Sequence, residues 1–114
     1  MRVVFLGNHT VGVRTLAAIL ETEAVTSVVA HPPDPEDGAR YLSVFADAQA
    51  RGLKVARLAG RDARLLEFIR QAQPDLLWIT DYRYLIPLEA LALAPLGVVN
   101  LHPSLLPKYG GAPL

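Results

Sequence analysis

The chain has 114 residues, enough for one domain, and its 52% hydrophobic and 19% charged residues exclude disorder over most of its length. Its net charge is zero and it has no cysteine, which argues against autonomous nucleic-acid binding and excludes disulfides, thiolate metal sites and cysteine nucleophiles. No apolar stretch reaches the ~18 residues of a membrane helix, and the apolar start is interrupted at Gly7. We therefore expect a cytoplasmic protein without a membrane partner.

Apolar runs and helix-spaced patterns alternate along the chain. The apolar runs predict five strands, over residues 3–6, 25–30, 54–58, 76–79 and 96–101. Helical spacing predicts four helices between them, over residues 11–20, 40–51, 62–73 and 88–93. Asn8 or Thr10 is the expected cap of the first helix and Asp62 that of the third. Unbroken apolar strands are typical of a sheet buried on both faces, so we predict an α/β fold with an open, doubly wound, mostly parallel, Rossmann-like sheet.

Ligands of such sheets bind beyond the carboxyl ends of the strands, near the point where the strand order reverses. The loops there are residues 7–12, 31–38, 80–87 and 102–111. The first loop has neither the dinucleotide-binding nor the P-loop spacing, so a tight turn is the favoured interpretation over an anion cradle. We interpret His9 as a turn residue, His31 as a solvated loop residue and Trp78 as a core residue. No metal site is predicted.

Polar residues suited to acyl transfer stand at the end of the fifth predicted strand, in the segment NLHPSLLPKYGG over residues 100–111. Strand side chains alternate between faces, so Asn100 and His102 project to the same side. An asparagine amide can donate to a developing oxyanion, and a histidine can donate or relay a proton. The residue types alone also fit an ordinary strand end with a hydrogen-bonded histidine.

The segment NLHPSLLPKY, residues 100–109, resembles the signature of the folate-dependent formyltransferases. That family includes enzymes that formylate methionyl-tRNA, glycinamide ribonucleotide and amino sugars on nucleotides. The glycine that ends the first strand, the Pro74-Asp75 entry to the fourth, and the run DYRYLIP over residues 81–87 resemble the family too. The resemblance implies transfer of a formyl group from 10-formyltetrahydrofolate to an amine, with Asn100 and His102 as two of three catalytic residues.

The resemblance also implies which residues line the folate pocket. One side would be formed by Tyr84, Leu85 and Ile86, from the loop between strands four and five. A second group would border the folate from the loop after strand five, namely Ser104, Leu105, Leu106 and Pro107. The formyl donor and an amine acceptor (an amino sugar nucleotide, methionyl-tRNA or a similar amine) are the expected small-molecule and macromolecular partners. The run over residues 81–86 resembles the sugar-nucleotide enzymes more closely.

Two departures from the family pattern bear on activity. Gly110 stands where the family has an arginine, which leaves the acceptor open, and the family's catalytic aspartate would follow beyond Leu114. We therefore interpret residues 1–114 as the N-terminal part of a formyltransferase catalytic domain, truncated after strand five and inactive alone. The alternative is a non-catalytic α/β module that binds folate, a nucleotide or a partner chain. An uncovered fifth strand predicts self-association.

Overall fold

The computed structural model describes residues 1–35 and 40–101. The strands are β1 Arg2–Gly7, β2 Ala24–Ala30, β3 Val55–Arg57, β4 Leu76–Thr80 and β5 Val98–Leu101. The helices are α1 His9–Leu20, α2 Val44–Ala50, α3 Leu65–Gln71 and α4 Leu88–Leu91. Strands and helices alternate as the apolar pattern predicts, and the α/β fold class is confirmed.

The five strands form one parallel sheet in the order β3-β2-β1-β4-β5. The chain runs outward from β1 through β2 to β3, then returns to β4 on the other side of β1. Gly7 pairs with Thr80 at the carboxyl end of this β1–β4 boundary, which is the switch point. One residue earlier the register aligns Leu6 with Ile79 and Ile79 with Asn100. The crevice expected of a doubly wound sheet therefore opens beyond Gly7 and Thr80.

Both faces of the sheet are buried, because successive strand residues point to opposite sides. The side covered by α1 and α2 buries Val3, Phe5, Leu16, Ile19, Val25, Val28, Ala30, Val44 and Ala48. The side covered by α3 and α4 buries Val4, Leu6, Val29, Leu58, Leu65, Ile69, Ala72, Leu77, Ile79, Tyr82, Ala90 and Ala94. Trp78 is half-buried on the first side, and its indole N–H is enclosed without a hydrogen-bond partner among the described residues.

Of the two expected caps of α1, Asn8 is the N-cap residue and Thr10 is not. Asn8 stands at the N-cap but its side chain makes no capping hydrogen bond, and its backbone N–H donates to the Thr80 carbonyl at 3.2 Å. The Thr10 hydroxyl accepts from the Leu42 N–H at 3.0 Å. The start of the first helix is thereby tied to β4 and to the segment before α2.

Three predicted elements start later in the structure than the sequence pattern indicates, namely α2, α3 and β5. Helix α2 begins at Val44, where the Ser43 hydroxyl accepts from the Ala46 N–H at 3.0 Å. The Asp62 carboxylate accepts from the N–H of the residue two positions on, in a turn that precedes α3. Strand β5 begins only after Gly97, whose φ of 101° breaks the extended run.

Candidate functional site

A cleft lies beyond the carboxyl ends of the strands, made of two adjoining cavities of about 350 and 250 Å³. Asn8, His9, His31 and Asp34 line both of them. The larger cavity extends over the ends of β2 and β3 to the start of α2. The smaller one reaches the loop over residues 81–87, which follows β4. The cleft therefore spans the switch point, where the topology predicts a ligand site.

The first two residues of the loop after β4 are fixed by contacts with neighbouring strand ends. Asp81, in the left-handed region at φ 56°, contacts Nδ1 of His9 at 3.2 Å and Nε of Arg83 at 3.1 Å. The buried Tyr82 hydroxyl donates to the Leu58 carbonyl, just after β3, at 2.6 Å. Burial raises the pKa of Tyr82 above its usual value, so the hydroxyl keeps its proton and remains a donor.

His31 holds the middle of the same loop. Its Nε2 accepts from the Arg83 backbone N–H at 2.9 Å. Its ring centroid lies 5.1 Å from that of Tyr82 and 4.8 Å from that of Tyr84. The interpretation of His31 as a solvated loop residue is therefore wrong, because a backbone donor and two aromatic rings surround the imidazole.

His9 is likewise more than a turn residue. It is the first residue of α1, has a φ of 60°, and stacks on Tyr41 with the ring centroids 4.1 Å apart. Its contact with Asp81 joins the loops that follow β1 and β4. The contact between His9 and Asp81 could have been predicted from the topology, since the parallel strands that precede them end at the same edge of the sheet. Their left-handed backbone could not be derived from residue type.

The three predicted folate-lining residues of this loop have different environments. Tyr84 is 39% exposed and lines the smaller cavity. Leu85 is 94% exposed, while its backbone lies against Gly60. Ile86 is half-buried and packs on the core between the sheet and α3/α4. The loop thus presents one aromatic ring to the cleft and one aliphatic side chain to solvent.

Asn100 is exposed near the carboxyl end of β5. Because it is in register with Ile79, it faces the side of the sheet that carries α3 and α4. Ile86 packs on that same side. The other predicted site residues lie outside the described residues, namely His102, Ser104, Leu105, Leu106 and Pro107.

Among residues 1–35 and 40–101, no group of three or more His, Asp or Glu side chains is arranged to hold a metal ion. Within the same ranges, no helix combines the length and apolar character needed to cross a membrane.

The parallel sheet and the cleft at its switch point define a doubly wound α/β protein, and the cleft lies where such sheets bind ligands. Residues 1–113 match the sequence model of the family described as Formyl transferase. The chain therefore belongs to the formyltransferase family, as the resemblance of residues 100–109 predicted.

Several curated relatives are methionyl-tRNA formyltransferases. The protein from Thermus thermophilus is 42% identical over 98% of this chain and 38% of its own length. The protein from Desulfotalea psychrophila is 36% identical over 98% of this chain and 36% of its own length. That from Borreliella burgdorferi is 32% identical over 97% of this chain and 36% of its own length. The chain thus spans less than two fifths of the length of these relatives.

Among solved structures, the chain is similar to WlaRD, a sugar 3N-formyl transferase crystallised in the presence of dTDP and 5-N-formyltetrahydrofolate. The TM-score is 0.54 at 14% identity, covering 79% of this chain and 31% of the other. At this identity the likeness supports the shared fold.

Proposed function

We propose that this chain provides the donor-binding loop and carbonyl-activating residues of an enzyme that transfers a formyl group from 10-formyltetrahydrofolate to an amine. The observation that carries the proposal is the position of Asn100 at the end of β5, on the sheet side where Ile86 packs. Strand β5 is the neighbour of β4, whose loop presents Tyr84 to the cleft. The amide proposed to activate the carbonyl therefore lies near the end of one strand, and the loop proposed to bind the donor follows the adjacent strand.

The residues of the loop fit a folate ring. A half-exposed tyrosine and an exposed leucine offer the flat and apolar surface on which an aromatic heterocycle packs, and backbone groups beside them offer hydrogen bonds. We assign this role to Tyr84, Leu85 and Ile86. By resemblance, a second wall is assigned to Ser104, Leu105, Leu106 and Pro107.

The bound folate supplies the formyl group. The acceptor nitrogen forms a bond to the formyl carbon and the bond from that carbon to the folate nitrogen breaks. The amine gives up one proton in the exchange, and the released folate nitrogen takes one up. Negative charge develops on the formyl oxygen during this exchange, and the Asn100 side-chain amide donates a hydrogen bond to it. His102 is assigned as a second group at the same oxygen, able to donate a proton or hydrogen bond there.

Substitution of these two residues tests the assignment in the protein encoded by the full reading frame. Asn100→Ala and His102→Ala should each lower kcat by about 10²–10³-fold with little change in KM, because the lost donor acts on the transition state. Formyl transfer from 10-formyltetrahydrofolate is the measurement. Leu101→Ala is the matched control, since it alters the same strand end on the opposite face. A kcat within about threefold of wild type for both alanine variants would contradict the assignment.

The acceptor is proposed as an amine on a nucleotide sugar or on methionyl-tRNA. Residues 81–86 favour the former by resemblance, and the curated relatives at 32 to 42% identity favour the latter. An assay with both amines separates the two. Folate binding without transfer to either amine would instead support a non-catalytic folate-binding module.

A further inference from the structure

We propose that His31 is a positioning residue for the donor-binding loop, and that its protonation releases the loop and weakens folate binding. The inference rests on the proposed function, which makes Tyr84 a folate contact. The role proposed for His31 acts through Arg83 and Tyr84.

His31 can hold the loop after β4 because of its position just beyond the end of β2. It directly follows Ala30, the last residue of β2, whereas Arg83 lies three residues beyond the end of β4. Strand β1 separates β2 from β4, so the hydrogen bond from the Arg83 N–H to Nε2 bridges the switch point. Since Tyr84 is the next residue and also packs on the imidazole, its ring position depends on that bond.

The bond exists only while Nε2 is unprotonated. A neutral imidazole that accepts at Nε2 carries its proton on Nδ1, whereas the imidazolium has two donors and no acceptor. Protonation therefore sets an N–H of the ring against the N–H of Arg83, and one of the two must move away. An ordinary imidazole makes this change near pH 6.5, inside the physiological range.

The rest of the loop stays anchored when His31 is protonated. Tyr82 remains hydrogen-bonded to the Leu58 carbonyl, because a tyrosine hydroxyl keeps its proton at the pH where imidazole titrates. Asp81 remains close to His9. The release is thus confined to Arg83 and the residues that follow it.

Other charges near His31 set the pH at which the change occurs. Among the described residues, the titratable and charged groups that share a cavity or a contact with it are Asp34, His9, Tyr41, Arg57, Asp81, Tyr82, Arg83 and Tyr84. The carboxylates favour the imidazolium, while the guanidinium groups of Arg57 and Arg83 and a protonated His9 oppose it. Asp81 is occupied by Arg83 and His9, which reduces its effect on His31.

Two substitutions separate the hydrogen bond from the ring contacts. His31→Gln places an amide oxygen near the position of Nε2, so it retains an acceptor that does not titrate. His31→Phe retains a ring against the two tyrosines but has no acceptor. Both are compared with wild type at pH 5.5 and pH 8, by amide hydrogen exchange at Arg83 and by binding of 5-formyltetrahydrofolate.

We expect wild-type protection at Arg83 and folate affinity each to fall about three- to tenfold between pH 8 and pH 5.5, the effect of one hydrogen bond. His31→Gln should retain both at the two pH values, after correction for intrinsic exchange and for titration of the ligand. His31→Phe should show the low values at both. Unchanged Arg83 protection in His31→Phe would overturn the positioning role.

The two measurements test separate parts of the proposal, the hold of His31 on the loop and the effect of the loop on folate binding. Arg83 protection that follows His31 while folate affinity does not would overturn the link between loop and donor. Absence of folate binding by the wild-type chain at both pH values would overturn the proposed function and that link. The exchange measurement would still decide whether His31 holds the loop.

Discussion

Tyr82 illustrates at the scale of one residue how the loop after β4 is held. Its hydroxyl donates to the Leu58 carbonyl inside the core. Tyr82→Phe removes the donor and leaves a carbonyl without it, so we expect a loss of about 1 kcal/mol in the free energy of unfolding, measured with urea. Tyr84→Phe is the control, since this ring is half-exposed and should change stability by less than about 0.5 kcal/mol. Equal stability of both variants would refute the buried-bond argument.

Gly60 matters because of the space that a side chain would need. A Cβ on Gly60 would lie 1.9 Å from the backbone oxygen of Leu85 and 3.0 Å from its carbonyl carbon. Since these neighbours are backbone atoms, the loop over residues 81–87 must shift in Gly60→Ala. We expect a loss of about 1–3 kcal/mol in the free energy of unfolding and faster amide exchange at residues 84–86. Wild-type stability with unchanged exchange would show that the two loops are not packed this closely.

At the scale of elements, the turn before α3 makes a pH-dependent contribution to the free energy of unfolding. Hydrogen bonds from the side chain and backbone of Arg64 lower the pKa of Asp62 from 3.8 to about 2. Because the folded-state pKa is depressed, the contribution is present above pH 4 and is lost as the pH falls through 2. Arg64→Gln should raise the Asp62 pKa, measured by NMR titration, and its stability deficit should vanish toward pH 2. Arg61→Gln, at an exposed neighbour, should leave the pKa at about 2.

The elements also show which structural signals are local. Strands were predictable because residues 3–6 and 76–79 lie in a sheet buried on both faces, so apolar runs mark them directly. The contacts at the start of α1 were not predictable, because the Thr10 hydroxyl bonds to Leu42, 32 residues away. Asn100 was proposed from a local motif, and its role in the site stays a prediction. His31 was missed because its bond to Arg83 joins residues 52 apart, which no short pattern encodes.

For the whole molecule, the exposed apolar residues of α4, of β5 and of the segment between them predict self-association. Leu88, Leu96, Val98 and Leu101 are 79%, 66%, 40% and 40% exposed, and β5 is an outer strand of the described sheet. Exposed apolar surface at a strand edge favours pairing with another chain. We expect the sedimentation coefficient to rise with concentration over about a hundredfold range, and Leu88→Glu/Leu96→Glu to suppress the rise. A wild-type monomer throughout would contradict this expectation.

The strand order also bears on how the chain folds as it is synthesised. Strand β1 leaves the ribosome first and becomes the centre of the sheet, but one of its edges pairs only with β4. Roughly 70 residues separate the two strands, so at ~5–20 residues per second that edge waits roughly 4 to 14 s for its partner. The nascent protein must keep its most buried strand half-paired during this interval. Slow translation after β3 would therefore lengthen its exposure to chaperones and to mispairing, whereas the same pause once β4 has left the ribosome would not.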